Sequence, residues 1–190
     1  MTAGLFFGSY NPIHIGHLAI ADFMLAHTKM DELWFVVSPH NPFKKLQNML
    51  SENDRLHLVN LAIEDHTSYR ACDTEFRMPK PSYTVDTLTC LSEMYPHWEF
   101  ALIMGSDNLE QFHKWKNSGK IIERYNRYIY PRPDTEPQFM EHIPNATLVD
   151  APQMDISSTM IRKAIADGKD VSSYLHEKVL RHIKEMRFYI

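Results

Sequence analysis

The stretch Leu5-Phe6-Phe7-Gly8-Ser9-Tyr10-Asn11-Pro12-Ile13-His14-Ile15-Gly16-His17 decides the fold. An apolar run of strand length, Leu5 to Gly8, leads straight into a short loop. Gly8 permits a tight turn, and Pro12 stiffens the loop. A helix then opens at about His14, with Leu18, Ala21 and Leu25 at helical spacing. The unpaired N–H groups of a first helical turn favour an anion. His14 and His17, three apart, share one face of that turn. Gly16 between them leaves room for a ligand to approach the backbone. Two histidines at this spacing, taken alone, are more often surface residues or metal ligands. The strand and glycine loop ahead of them turn the reading towards a phosphate chain, and a structural zinc site would need two further ligands that the nearby sequence does not offer.

The same alternation continues outward. Leu33 to Val37 is a second strand, ended by Ser38-Pro39 and a polar loop through about Met49. Ser51-Glu52-Asn53-Asp54 reads as a helix cap, with Leu56, Val59 and Ile63 facing inward. Tyr69 to Cys72 is a weak strand, Thr84 to Met94 a helix, and Phe100 to Met104 a strand closed by Gly105. Strands at Arg127–Tyr130 and Ala146–Val149 precede two helices near 158–168 and 175–187. Strand runs that are apolar throughout, separated by helices, imply a parallel sheet covered on both faces. The expected fold class is α/β: a Rossmann-like, doubly wound parallel sheet of five to six strands, with a small C-terminal helical part. All 190 residues form one domain, with a core over about 1–150 and the helical part over about 151–190. In such sheets ligands bind beyond the carboxyl ends of the strands, where the strand order reverses.

Composition narrows the function. Hydrophobic residues at 44% and charged residues at 23% are ordinary globular values. Twenty Lys+Arg against 24 Asp+Glu give a net charge of −4, which argues against a general nucleic-acid partner and makes any phosphate recognition local. Cys72 and Cys90 are too few for a disulfide framework or a thiolate zinc site and read as small buried apolar residues. The N-terminal run has no basic leader, and no stretch approaches the roughly 20 apolar residues of a membrane helix. The expectation is a cytoplasmic protein with no membrane partner; the oligomeric state, a homo-oligomer included, stays open.

A second constellation is Ile156-Ser157-Ser158-Thr159-Met160-Ile161-Arg162. One hydroxyl at a helix start is ordinary capping. Three in a row, with Arg162 one turn in, make a second phosphate cradle, because arginine supplies fixed donors that match phosphate oxygens.

Together, His14-Ile15-Gly16-His17 after a glycine loop and Ile156–Arg162 resemble the HIGH-motif nucleotidyltransferase superfamily. Gly105-Ser106-Asp107, with Trp115 eight residues beyond, resembles the pyridine-mononucleotide adenylyltransferases. Pro81-Ser82-Tyr83-Thr84-Val85-Asp86-Thr87-Leu88 is similar to the bacterial nicotinate-mononucleotide branch. The resemblance implies that Gly8, Ser9, Tyr10, Asn11 and Gly16 line an ATP site. It puts His14 and His17 on the triphosphate, with Ser157, Ser158, Thr159 and Arg162 holding it from the other side. It has Asp107 bond a ribose, with Gly105 giving clearance, and sets Arg132 near the nucleotide. Thr84 and the amides beside Trp115 would receive the nicotinate carboxylate, the indole stacking on the pyridine, and Lys44 would meet the mononucleotide phosphate. The implied substrates are ATP and nicotinate mononucleotide, with Mg²⁺ carried by the phosphates and no protein metal site.

Three positions depart from the family pattern. Asn11 stands where many relatives have Asp. Phe43 replaces a histidine, so phosphate contact there rests on Lys44 and Lys45. Asp134 follows Arg132-Pro133 where a glycine is usual. The rival readings are a nicotinamide-mononucleotide or other small-phosphate adenylyltransferase, and, in a different class, a nucleotide-binding regulator without turnover.

Overall fold

The computed structural model describes residues 1–39, 49–132 and 144–190. Six strands form one parallel sheet: β1 (Thr2–Gly8), β2 (Glu32–Val37), β3 (Tyr69–Cys72), β4 (Glu99–Gly105), β5 (Asn126–Tyr130) and β6 (Ala146–Leu148), in the order β3-β2-β1-β4-β5-β6. The order reverses between β1 and β4, which places the switch point at their carboxyl ends. β1 begins three residues before the expected Leu5, because Thr2 to Gly4 pair with β4 and Ala3 and Gly4 with β2 as well.

Alternate residues of the central strands feed two cores. On one face Phe6, Leu33, Phe35 and Val37 pack with α1 (Ile15–His27), α2 (Glu52–Ile63), α6 (Ser158–Ala166) and α7 (Glu177–Glu185). On the other, Leu5, Trp34, Val36 and Leu102 pack with α3 (Thr84–Met94), α4 (Leu109–Phe112) and α5 (Ser118–Arg124). Burying each such aliphatic or aromatic side chain contributes about 1.5–3 kcal/mol. The helices α6 and α7 share the cluster of β1 and β2 through Ile161, Val179 and Ile183.

Several boundaries differ from expectation. α1 opens at Ile15, with His14 as the residue before it. The segment from 109 to 124 carries two short helices that sequence periodicity did not reveal. β6 is an edge strand, and Leu148 on it is exposed. Cys72 is buried as expected, but Cys90 lies half-exposed on α3. Ser51 caps α2, its Oγ accepting from the Asp54 N–H at 3.1 Å. Among the described residues no helix is long and apolar enough to cross a membrane.

Candidate active site

The loop after β1 is set by Tyr10 rather than by Gly8. Tyr10 is the left-handed residue, with φ at 46°. Gly8 supplies space instead: a Cβ there would stand 2.6–3.0 Å from the Tyr10 ring. That ring is buried, its hydroxyl bonded to the Phe6 carbonyl and the ring in T-shaped contact with Phe6 and Phe35. The Tyr10 side chain therefore does not line the cleft; it supports His17, whose ring centre lies 5.1 Å away. The tight turn expected at Gly8 is thus made at Tyr10.

His14 and His17 stack with ring centres 3.7 Å apart and planes at 30°. The His14 N–H donates to His17 Nδ1 at 3.2 Å. In the neutral imidazole this leaves the proton on Nε2. His14 is almost fully buried, and its Nδ1 has no hydrogen-bond partner among the described residues. Burial, and then the nearby Arg132 guanidinium, push its pKa down to about 4. His14 is thus neutral at physiological pH. Gly16 makes the close approach possible: a Cβ there would stand 3.1 Å from His14 Nδ1.

Both histidines, with Gly16 and Ile20, line a narrow cleft beside the carboxyl ends of β1 and β5. Across it stand Tyr130, Pro131, Arg132, Pro152, Gln153, Met154 and Ile156. Ile156 leads directly into the hydroxyl cluster, so the two segments that the sequence places about 140 residues apart meet here. Ser157 caps α6, accepting from the Met160 N–H. Ser158 Oγ donates to the Pro12 carbonyl at 2.9 Å. Arg162 donates to the Asn11 carbonyl at 2.8 Å and to Thr159 Oγ1 at 3.3 Å. Arg162 and Ser158 therefore dock α6 onto the loop before the histidines, whatever else they bind. Ser157 and Thr159 act as acceptors in these contacts, which keeps their O–H groups available to an anion.

Gly105 ends β4 and Asp107 follows it. A Cβ at Gly105 would stand 2.4 Å from Asp107 Oδ1 and 3.0 Å from Arg132. Arg132 reaches Asp107 at 3.9 Å, and its N–H donates to Ser106 Oγ at 2.8 Å. Asp107 caps no helix; it is exposed, and its Oδ1 accepts from Asn108. A carboxylate and a guanidinium thus stand at the exit of β4 and β5, beside the cleft.

Asn11 is buried and does not line the cleft. Its Oδ1 accepts from the Leu50 N–H and the Tyr189 hydroxyl. Its departure from Asp therefore bears on the anchoring of the loop. Thr84 is the first residue of α3 and Trp115 packs on Phe112, both half-buried. Lys116 ties the two segments together, 2.8 Å from Asp86 and over the Tyr83 ring at 4.7 Å. The Trp115 N–H is already bonded to the Phe112 carbonyl. Lys44, with Phe43, Lys45 and Asp134, lies outside the described residues. Tyr130, which the sequence reads as strand packing, lines the cleft, as do Pro152 to Met154, which no sequence signal marks. Tyr130 could have been found, since it ends a strand at its carboxyl side; the others sit in a loop with no pattern. Among the described residues no group of three or more histidines, cysteines or acidic residues could hold a metal ion.

Residues 5–164 match the Cytidylyltransferase-like family. The chain is 48% identical to a protein of Cytophaga hutchinsonii, over 100% of this chain and 98% of the relative, named "probable nicotinate-nucleotide adenylyltransferase". A Flavobacterium johnsoniae protein of the same name is also 48% identical, over 100% and 99%. The fold is shared with Plasmodium falciparum nicotinic acid mononucleotide adenylyltransferase complexed with NaAD, at a TM-score of 0.82 and 19% identity, covering 99% of this chain and 97% of that one.

Proposed function

Since the chain belongs to the Cytidylyltransferase-like family and, within it, to the nicotinate-nucleotide adenylyltransferases, we propose how its residues carry out the reaction. The enzyme is a nucleotidyltransferase of NAD biosynthesis. It moves the adenylyl group of ATP to nicotinate mononucleotide, giving deamido-NAD and pyrophosphate. One observation carries the proposal: Ile156, at the head of the hydroxyl cluster, lines the same cleft as His14 and His17, while Ser158 and Arg162 bond the loop that leads to those histidines.

The mononucleotide phosphate is the nucleophile and is already an anion, so it attacks the α-phosphorus in line and the bond to the bridging oxygen breaks. No general base is required, and the enzyme contributes alignment and charge stabilisation. His17, its proton fixed on Nε2, donates to the triphosphate. His14 starts neutral, and the polyanion draws a proton onto it. The N–H groups of the α1 turn and the hydroxyls of Ser157 and Thr159 hold the chain from both sides. Asp107 takes a ribose hydroxyl, with Gly105 leaving it space. The nicotinate carboxylate is received by Thr84 and by the amides of Lys116 and Asn117, because the Trp115 amide is spent. Lys44 meets the mononucleotide phosphate. The cleft's donors are partners for anions, so Mg²⁺ fits as a cation held by phosphate oxygens and water. When bound it neutralises charge growing on the leaving pyrophosphate. The net charge of −4 supports small-molecule substrates over nucleic acid, and dependence on ATP fits a cytoplasmic location.

Pyrophosphate release from ATP on addition of nicotinate mononucleotide tests this. Release only with a different phosphate acceptor, or ATP binding without release, overturns it.

A further inference from the structure

A buried clamp ties the loop after β1 to residues far along the chain. Arg55 on α2 has no exposed surface and donates to four backbone carbonyls: Ser9 at 2.5 Å, Ser38 at 2.8 Å, and Pro39 and Leu50 at 3.2 Å. The Leu50 N–H in turn donates to Asn11 Oδ1 at 3.2 Å. The same oxygen accepts the Tyr189 hydroxyl at 2.8 Å, while the Asn11 carbonyl takes Arg162. Asn11 thus joins the approach to α2, helix α6 and Tyr189 at one point. Bringing Tyr189 there requires left-handed backbone at Arg187 (φ 53°) and at Tyr189 itself (φ 66°). Side-chain-bearing residues keep such conformations only where the surroundings impose them, and they concentrate at functional sites. Burial holds the phenol protonated, so it remains a donor.

Tyr189 does not line the cleft. We propose that Tyr189 is a positioning residue for adenylyl transfer: its hydroxyl fixes Asn11, and through Asn11 the turn carrying His14 and His17, against α6. The proposal rests on the function assigned to this cleft, in which both segments grip one triphosphate. Such a grip depends on their spacing being held to a fraction of an ångström.

Tyr189→Phe keeps the ring and deletes the donor. The expected result is a fall in kcat of about tenfold, the worth of one well-made hydrogen bond. The KM for nicotinate mononucleotide should hold, and the melting temperature should fall by only a few degrees, leaving the protein folded at the assay temperature. In an Asn11→Leu background, which removes the acceptor, the same change should cost nothing further; in Asn11→Asp, which keeps an acceptor, it should again cost about tenfold. Unchanged kcat in Tyr189→Phe overturns the proposal alone, as does a loss accounted for by protein unfolded at the assay temperature or one that persists in Asn11→Leu. A wild-type protein that releases no pyrophosphate overturns the reaction and the proposal with it.

Discussion

The His14 backbone N–H donates to His17 Nδ1 at 3.2 Å, so the first turn of α1 orients its own second imidazole. The bond sets the tautomer of His17, and the stacked His14 ring and the buried Tyr10 ring limit where it can move. His17→Ala should lower kcat by about 10²–10³, the usual cost of losing one well-placed transition-state donor. The fold should survive, because the His17 ring lines the cleft rather than filling the core. Near wild-type turnover by a folded His17→Ala protein removes this histidine from the mechanism.

His14 gives a pH prediction whose sign can be worked out. Its pKa in the folded protein is about 4, against 6.5 for an ordinary histidine, because the cleft desolvates it and Arg132 opposes its charge. Between these values the unfolded chain binds the extra proton and the folded one does not. Stability from this group is therefore complete above pH 6.5 and declines as pH falls towards 4, by roughly 3 kcal/mol in all. An NMR titration of the ligand-free protein should place the His14 midpoint near 4, and pyrophosphate or an ATP analogue should raise it. A midpoint near 6.5 without ligand contradicts the burial argument.

Gly8→Ala tests the support beneath His17. The new Cβ meets the Tyr10 ring, which is packed on several sides and cannot yield. Destabilisation of about 1–3 kcal/mol is expected from overpacking, together with a loss of kcat as the ring under His17 shifts. Thermal melts and turnover measured on the same sample check both; full activity at unchanged stability would show that the ring has room.

Arg55→Leu should lower unfolding free energy by about 3–5 kcal/mol, since it strands backbone carbonyls from three segments in a buried place. Urea denaturation measures this. A cost below about 1 kcal/mol would mean that those carbonyls find water.

The carboxylate site proposed at Thr84 and the Lys116–Asn117 amides predicts selectivity. A nicotinamide group turns its own N–H donors against one of these donors and leaves groups unpaired, so kcat/KM for nicotinamide mononucleotide should be lower by about 10² or more. Equal values for the two mononucleotides would contradict the assignment.

Much of the fold was legible because a parallel sheet needs strands that are apolar on both faces. Leu33 to Val37 and Phe100 to Met104 declare themselves in that way, and the two segments read as phosphate-binding sit where strand ends and helix starts are marked by glycine and serine. Other features lay beyond sequence reasoning. The helices at 109–124 are too short and too polar for a periodic signal. Arg55 looks like any arginine on an amphipathic helix; it is buried because loops distant in sequence aim carbonyls at it. Tyr10 sits in a loop where side chains are expected to meet ligand, yet its left-handed backbone and the missing Cβ of Gly8 turn the ring into the core. The link from Asn11 to Tyr189 spans almost the whole chain and follows from tertiary packing alone.

The central claim is that the α1 turn and the start of α6 hold one triphosphate between them. A crystal structure with a non-hydrolysable ATP analogue tests it most directly. The account predicts triphosphate oxygens within hydrogen-bonding distance of a His17 ring nitrogen and of a hydroxyl from Ser157 to Thr159 in the same molecule. An analogue bound elsewhere, or touching one of these segments while the other stays bare, would contradict it.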